Sequence, residues 1–259
     1  ICAGQTPGEC TVEGAAFGCS PEENLILSAC RLFRRVTGCG EGVRFICTKR
    51  IPEGAGLGGG SSDAAAALRL LDAWLETGLP AEKLAEMGGE LGSDLPFFLR
   101  APAALVEGRG ERVETVEPRD EWPLLVFKPD FSVSTGRAYR MLDDSRGTEA
   151  YQSTRREGEE SLSSQELRRR YTELSPQEWG FFNSFTPVLE DLYPVYRRFF
   201  HLCDRAGALY ANISGSGSAA FALFADQASR EACCRSLGAL GKGVWKVKML
   251  ASYPMPVYN

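Results

Sequence analysis

The chain reads Ile51-Pro52-Glu53-Gly54-Ala55-Gly56-Leu57-Gly58-Gly59-Gly60-Ser61-Ser62-Asp63-Ala64 at its most informative stretch. Five of the seven residues from 54 to 60 are glycine. Because glycine has no Cβ, such a backbone can adopt positive φ and approach a ligand closely. Successive amides can then point inward and bind anionic oxygens. This stretch, the glycine loop, is therefore predicted to hold phosphate.

The residues on either side strengthen that prediction. A strand is predicted over residues 43–49 and an alanine-rich helix over residues 64–75. A helix that starts beside the loop would add unpaired N–H groups and the positive end of its dipole. Ser61 and Ser62 could donate to phosphate or help hold Mg²⁺, which prefers hard oxygen ligands.

Other interpretations of the glycine loop stay open at this point. It is not a Walker A motif, because no lysine follows the glycines, and its match to the Rossmann spacing G-x-G-x-x-G at Gly54, Gly56 and Gly59 is a weak signal. The simplest alternative is a surface turn with a serine that caps the following helix.

Two further segments are candidates for a site. Asp94 lies in Leu91-Gly92-Ser93-Asp94-Leu95-Pro96-Phe97-Phe98, where we expect a partly buried carboxylate that a metal–phosphate site would satisfy. From the residues alone, a helix-terminal aspartate bonded to backbone amides is favoured over that role. Ser214-Gly215-Ser216-Gly217-Ser218 is a second small-residue loop, and by itself it is more typical of a hairpin turn than of a ligand site.

Composition excludes several classes of protein. A net charge of −5 argues against a nucleic-acid partner, and neither a membrane-spanning run nor a signal peptide is evident, so a cytoplasmic protein with no membrane partner is predicted. Nine scattered cysteines without a C-x-x-C pair favour reduced thiols over a zinc site or a disulfide framework. The single histidine, His201, falls on a predicted helix and argues against Ser/His or Cys/His catalysis.

The remaining pattern predicts an α+β protein. Helices are predicted over 21–37, 81–91, 136–142, 188–206 with a break at Pro194, and 227–237, and strands over 103–106, 112–116, 122–127, 208–213, 219–224 and 244–250. Residues 143–170 are polar and predicted to be a surface excursion that ends in a solvated helix.

The glycine loop, the Asp94 segment and Ser214–Gly217, in this order and at these separations, resemble the GHMP family of small-molecule kinases. Lys128-Pro129 followed by Val133-Ser134-Thr135 and Tyr139 is similar to a further segment of the family. The triple glycine before Ser61-Ser62-Asp63 resembles most the members that act on 4-diphosphocytidyl-2-C-methyl-D-erythritol. The resemblance spans about residues 20–225.

This resemblance implies a two-domain fold with the site in the cleft. Residues 1–120 would form an N-terminal ATP-binding α/β domain of the ribosomal protein S5 domain 2-like type, and residues 121–259 a C-terminal ferredoxin-like domain. ATP would be bound by Pro52, Gly54, Ala55, Gly56, Leu57, Gly58, Gly59, Gly60, Ser61 and Ser62, with Ser61 also a ligand of Mg²⁺. Ser214, Gly215, Ser216 and Gly217 would form the third motif of the family.

The resemblance also implies the reaction. Mg-ATP would phosphorylate a hydroxyl of the cytidylyl-linked methylerythritol on the route to isoprenoids that does not use mevalonate. Asp94 would orient or deprotonate that hydroxyl, in a reaction that depends mainly on positioning and charge neutralisation. ATP and a small-molecule substrate are the expected partners, and the oligomeric state is left open.

One departure from the family keeps alternatives open. The family's opening lysine and its D-G-Y-H segment are not in the sequence, and we expect that about 40 residues of a complete enzyme, judged from the ordinary size of such a domain, would precede Ile1. The alternatives are another GHMP kinase, of homoserine or mevalonate type, and a nucleotide-binding pseudokinase.

Overall fold

The protein forms two compact units in the computed structural model, which describes residues 1–6, 9–14, 18–40, 42–145, 162–238, 240 and 243–252. The first unit contains residues 1–53 and 58–118, and the second contains residues 54–57 and 119–251. The chain thus passes between the units inside the glycine loop. Most of the predicted surface excursion, residues 146–161, lies outside the described residues.

The first unit combines helices with two small sheets. Its elements are β1 (Cys2–Thr6), β2 (Thr11–Glu13), α1 (Leu25–Thr37), β3 (Gly42–Ile46), α2 (Gly59–Trp74), α3 (Ala81–Leu91), α4 (Leu95–Arg100), β4 (Ala104–Glu107) and β5 (Arg112–Thr115). In the first sheet β3 lies between β1, which is antiparallel to it, and β2, which is parallel. β4 and β5 form an antiparallel hairpin. The sequence did not predict β1, in which only Thr6 is β-branched, or β2, which has only three residues.

Helix α1 begins later than predicted. Its cap is Asn24 rather than Ser20, because the buried Asn24 side chain accepts a hydrogen bond of 2.9 Å from the Ile26 N–H. Gly38 ends the helix in the left-handed conformation, with φ of 74°. The apolar face of α1 packs against α2, whose buried alanines allow the two backbones to approach closely.

One pair of cysteines is an exception to the expectation of reduced thiols. Cys10, just before β2, and Cys30, in α1, form a disulfide. Sequence spacing could not show it, because the pairing depends on how the helix packs on the sheet. Among the described residues, the free thiols are Cys19, Cys39, Cys47, Cys203, Cys233 and Cys234.

The second unit is built around one antiparallel sheet. Its elements are β6 (Leu124–Lys128), α5 (Thr135–Ser145), α6 (Ser164–Glu173), α7 (Phe185–Leu192), α8 (Val195–Arg205), β7 (Ala208–Ile213), β8 (Ala220–Phe224), α9 (Gln227–Leu237) and β9 (Gly243–Val247). The strand order β7-β8-β6-β9 places the unit's first strand between its third and fourth, as in a ferredoxin-like sheet. Phe127 of β6 stacks on Phe199 of α8 in the core, with ring centroids 5.3 Å apart.

The helical predictions for this unit hold in outline. Pro194 separates α7 from α8, as predicted from its missing N–H, and His201 is exposed on α8. No helix in the described part of the chain is both long and apolar enough to cross a membrane.

Candidate active site

The first half of the glycine loop is bound by the turn between β7 and β8. The Ser214 hydroxyl donates a hydrogen bond of 2.8 Å to the Gly56 carbonyl, and the Ala219 N–H donates one of 2.8 Å to the Ala55 carbonyl. These two bonds join segments about 160 residues apart in the chain. The glycine loop and the third motif, which the sequence singled out separately, therefore meet within the second unit.

Gly56 is required at this contact for two reasons. Its φ of 72° lies in the left-handed region, and a Cβ at this position would lie within 2.6 Å of the Gly217 carbonyl oxygen and also contact the Ser214 carbonyl oxygen. Both obstacles are backbone atoms, which cannot turn aside as a side chain can. The close approach of the two loops thus depends on the missing side chain.

Asn183, two residues before the start of α7, holds the turn between β7 and β8. Sequence reasoning did not identify this residue. Its Nδ2 donates hydrogen bonds of 2.8 Å to the Ile213 carbonyl and 2.7 Å to the Gly215 carbonyl. The turn is also closed on itself, because the Gly217 N–H donates to the Ser214 carbonyl at 2.9 Å. A single amide side chain within the aromatic run 181–185 was the sequence signal that could have pointed to it.

The Lys128–Tyr139 segment contributes a third side to this cluster. The Thr135 and Ser216 hydroxyls lie 3.2 Å apart, and a Cβ on Gly54 would be 3.3 Å from the Ser132 side chain. The Lys128 ammonium donates hydrogen bonds to the carbonyls of Pro129 and Phe131, so it stabilises the turn that follows β6.

The second half of the loop belongs to helix α2, which starts earlier than predicted. The helix begins at Gly59 instead of Ala64, and Gly58 precedes it in the left-handed conformation. The cap is therefore a glycine and not the serine of the alternative interpretation. Residues 59–61 lie in the first turn, where backbone N–H groups have no intrahelical acceptor and can bind an anion.

The two serines of the loop differ in their availability. The Ser62 hydroxyl donates a 2.9 Å hydrogen bond to the Gly59 carbonyl, so its proton is already used inside the helix. Ser61 is half-buried on the first turn, and its hydroxyl chemistry suits a hard cation such as Mg²⁺. In the described residues, no group of three His, Cys, Asp or Glu side chains converges as a metal site.

Asp94 lies directly before α4, in the same unit as α2. Contrary to expectation its side chain is exposed, and within the described part of the chain it makes no capping bond to the helix. Four residues on, Phe98 fills the space where a Cβ of Gly58 would lie, at 2.6 Å, so α4 packs against the start of α2. The Asp94 segment and the second half of the loop thereby pack together in the first unit.

A partly buried ion pair between α2 and the segment after β3 was also missed by sequence reasoning. The Lys49 ammonium pairs with the Asp63 carboxylate, and their side chains are only 14% and 20% exposed. Burial raises the pKa of the neighbouring Cys47 thiol, and the Asp63 charge raises it further. Lysine preceding the loop was visible in the sequence, but its partner 14 residues later could be identified only from the fold.

The segment between β3 and the loop lines an open cavity of about 450 Å³ in the first unit. Its walls are Gly14 and residues 48–53, which include Pro52 of the predicted nucleotide site. A cavity of this volume is in the range of small-molecule sites.

Comparison with known proteins decides the family. Residues 24–101 match the family described as GHMP kinases N terminal domain, and residues 165–243 match GHMP kinases C terminal. A 4-diphosphocytidyl-2-C-methyl-D-erythritol kinase of Treponema pallidum is 37% identical over 222 residues, which are 85% of this chain and 75% of that protein. The protein of the same name from Thermodesulfovibrio yellowstonii is 35% identical over 218 residues, which are 78% of this chain and 70% of that protein.

The chain belongs to the GHMP kinase family. It is therefore a small-molecule kinase, and membership of this family implies ATP as a substrate.

Solved GHMP kinases have the same fold. A crystal structure of 4-(cytidine 5'-diphospho)-2C-methyl-D-erythritol kinase matches with a TM-score of 0.74 and 29% identity over 94% of this chain and 82% of that one. A homoserine kinase from Cytophaga hutchinsonii also reaches a TM-score of 0.74, over 96% of this chain and 86% of that one, but with 18% identity it shows the fold alone. The predicted two-domain GHMP-kinase fold of mixed helices and sheets is confirmed.

Proposed function

We propose that this GHMP kinase transfers the γ-phosphoryl group of ATP to a hydroxyl of 4-diphosphocytidyl-2-C-methyl-D-erythritol, in isoprenoid precursor synthesis. The observation that carries the proposal is the 37% identity, over 85% of the chain, to a protein named for this substrate. The glycine loop with three consecutive glycines before Ser61-Ser62-Asp63 supports it from the sequence.

The nucleotide site in this proposal is the glycine loop. Its residues Gly54–Ser62, with the N–H groups of α2's first turn, would bind the triphosphate, because amides at a helix start favour anions. The cavity lined by residues 48–53 is large enough to accept the nucleoside part. Within the same proposal, residues 1–120 form the ATP-binding domain and residues 121–259 the second domain.

Mg²⁺ is proposed as the metal that accompanies ATP. Ser61, a half-buried residue on the first turn, would hold it through its hydroxyl. When bound, Mg²⁺ neutralises phosphate charge as the phosphoryl group transfers.

Asp94 is proposed to act on the acceptor. Its exposed carboxylate is not used as a helix cap, so it is available to accept a hydrogen bond from a substrate hydroxyl and to take its proton. The turn Ser214–Gly217 is proposed to shape the first half of the loop through the bond from Ser214 to Gly56, which the bond from Ala219 to Ala55 reinforces. A cytoplasmic location belongs to the same proposal, because that is where ATP is available and where most described cysteines could remain free thiols.

The test is a substrate comparison. The protein is incubated with Mg-ATP and, separately, 4-diphosphocytidyl-2-C-methyl-D-erythritol, homoserine and mevalonate, while ADP release and the mass of each alcohol are followed. We expect ADP release and the addition of one phosphoryl group only with the cytidylyl compound. Turnover of homoserine or mevalonate instead would assign the chain to another branch of the family, and ATP binding without turnover of any alcohol would indicate a pseudokinase.

A further inference from the structure

The Lys49–Asp63 ion pair lies at the start of the helix that the proposed function assigns to phosphate binding. Asp63 is the fifth residue of α2, so it lies one turn after Gly59 on the same helix face. A carboxylate there places a negative charge next to amides that would bind a triphosphate. With its side chain 20% exposed, solvent screens that charge only in part.

Lys49 supplies the opposite charge from a different element. It follows β3 in the chain, and its ammonium contacts Asp63 with only 14% of the side chain exposed. The pair differs from the ion pairs on the surface of the same unit, such as Arg35–Glu90, whose side chains are 69% and 53% exposed. Exposed ion pairs of that kind contribute little to stability. A partly buried charge that loses its partner is poorly solvated and acts more strongly on neighbouring charges and dipoles.

Gly59 shows how closely the lysine approaches the helix start. A Cβ on Gly59 would lie 3.2 Å from the Lys49 Nζ and 2.9 Å from the Ile51 Cγ2. The φ of Gly59 is not in the left-handed region, so glycine is needed here for space and not for conformation. The ammonium therefore contacts the Asp63 carboxylate and also lies against Gly59, the first residue of α2.

We propose that Lys49 and Asp63 are a positioning pair for the nucleotide: Lys49 neutralises the Asp63 carboxylate and fixes the segment before the loop against Gly59, so that the first turn of α2 stays favourable to an anion. The inference rests on the proposed function, because it requires the loop to bind ATP. Neither residue is assigned to contact the substrate or the transferred phosphoryl group.

A charge-neutralising role predicts a specific pattern of rescue. Lys49→Met leaves an uncompensated carboxylate near the phosphates, and Asp63→Asn removes that carboxylate. The double variant Lys49→Met/Asp63→Asn should therefore bind ATP better than Lys49→Met alone. If Lys49 were itself a phosphate ligand, removing Asp63 would not restore what its loss had removed.

The experiment measures the dissociation constant of Mg-ATP by calorimetry for the wild type and these variants. We expect Lys49→Met to weaken binding at least ten-fold, with a smaller effect at high salt, and Asp63→Asn to bind as the wild type or more tightly. The double variant should return to within about three-fold of the wild type. With the acceptor present, KM for ATP should follow these changes while kcat stays nearly constant.

Two controls keep the result interpretable. Lys83→Met removes another ion-paired lysine of the same unit, from the exposed pair with Glu86, and should leave ATP affinity unchanged. Lys49→Arg keeps the charge and should retain near-normal affinity even if Lys49→Met fails to fold. A double variant as weak as Lys49→Met, or a Lys49→Arg as weak as either, would overturn the inference. Wild-type protein that does not bind ATP would instead refute the proposed function, whereas normal affinity in every variant would refute the inference alone.

Discussion

Three glycines of the loop are needed for different physical reasons, although the sequence presents them as one run. Gly56 combines a positive φ with backbone atoms in the place of its Cβ, and Gly58 combines a positive φ with the Phe98 ring. Gly59 needs only the space. A substitution should therefore destabilise the protein by a different amount at each position. The effect should be largest at Gly56, because backbone atoms occupy the place of its Cβ and can move least.

Gly56→Ala should lower the free energy of unfolding by about 3 kcal/mol, which combines a left-handed alanine with an overpacked contact. Gly38→Ala is the matched control, since Gly38 has a similar φ of 74° but nothing within 4 Å of a Cβ. It should lose only about 1–2 kcal/mol, the conformational part. Urea unfolding of both variants measures the difference, and equal losses would contradict the contact with the Ser214–Gly217 turn.

Asp94→Ala should lower kcat by a factor on the order of 10²–10⁴ while the dissociation constant for ATP changes little, because the proposed role concerns the acceptor hydroxyl. Steady-state kinetics and nucleotide calorimetry on the same preparation would show both. Since Asp94 is exposed, the variant should fold normally. A kcat close to that of the wild type would remove Asp94 from the proposed mechanism.

At the residue scale, the sequence singled out the candidate segments but not the residues that pack against them. The glycine loop was identified from local composition, whereas Asp94 and Ser214–Gly217 received a site role only from the resemblance to the GHMP kinases. Asn183 and the Lys49–Asp63 pair were not identified, because a hydrogen bond or ion pair across many residues depends on how elements pack. The predicted partial burial of Asp94 was wrong for the same reason.

At the scale of elements, the start of α2 is a place where local helix propensity does not predict the structure. The sequence placed its start at Ala64, because glycine has a low helix propensity. The structure starts it at Gly59, since Gly58 adopts the left-handed conformation and packing against Phe98, Ile51 and Lys49 favours side-chain-free residues there. Elements with plain periodicity, such as α3, α9 and β7, match the predicted residues. At the start of α2, tertiary packing thus overrode helix propensity.

Helix α8 is tied to the turn after β7 by one buried hydroxyl. Tyr196 donates a 2.9 Å hydrogen bond to the Ser218 carbonyl, and burial raises the pKa of its phenol well above the usual value. A folded-state pKa above the unfolded value of about 10 means that this group stabilises the fold below that pH and that the contribution is lost as pH rises further.

Tyr196→Phe should lower the free energy of unfolding by about 1 kcal/mol at pH 7, the usual value of a hydrogen bond. Above pH about 10 its stability should decline less steeply than that of the wild type, because the buried ionisable phenol is gone. Tyr139→Phe, at a position 54% exposed, is the control and should change neither quantity. Chemical denaturation at a series of pH values tests this, and parallel declines in wild type and Tyr196→Phe would contradict it.

At the scale of the whole molecule, each unit has its own hydrophobic core, and each core contains free cysteines whose accessibility can be measured. Cys47 is buried in the first unit and Cys203 and Cys233 in the second, whereas Cys19 is exposed. A thiol reagent at pH 8 should label Cys19 first and the three buried thiols only on unfolding, with Cys19→Ser removing the fast phase. Peptide mapping identifies the labelled residues, and early labelling of Cys203 would contradict the packing of α8 against α9.

The division of the glycine loop between the two units has a consequence for recombination. Residues 54–57 belong with the Ser214–Gly217 turn, yet they are encoded in the middle of the first unit. A chimaera of two homologous kinases joined near residue 118 would take its loop from one parent and the turn that binds it from the other. The Gly56–Ser214 contact would then be made between two lineages. We expect such a chimaera to keep this contact only where one parent supplies glycine at position 56 and the other a small-residue turn at 214–217, because a side chain at position 56 would meet the backbone of the turn.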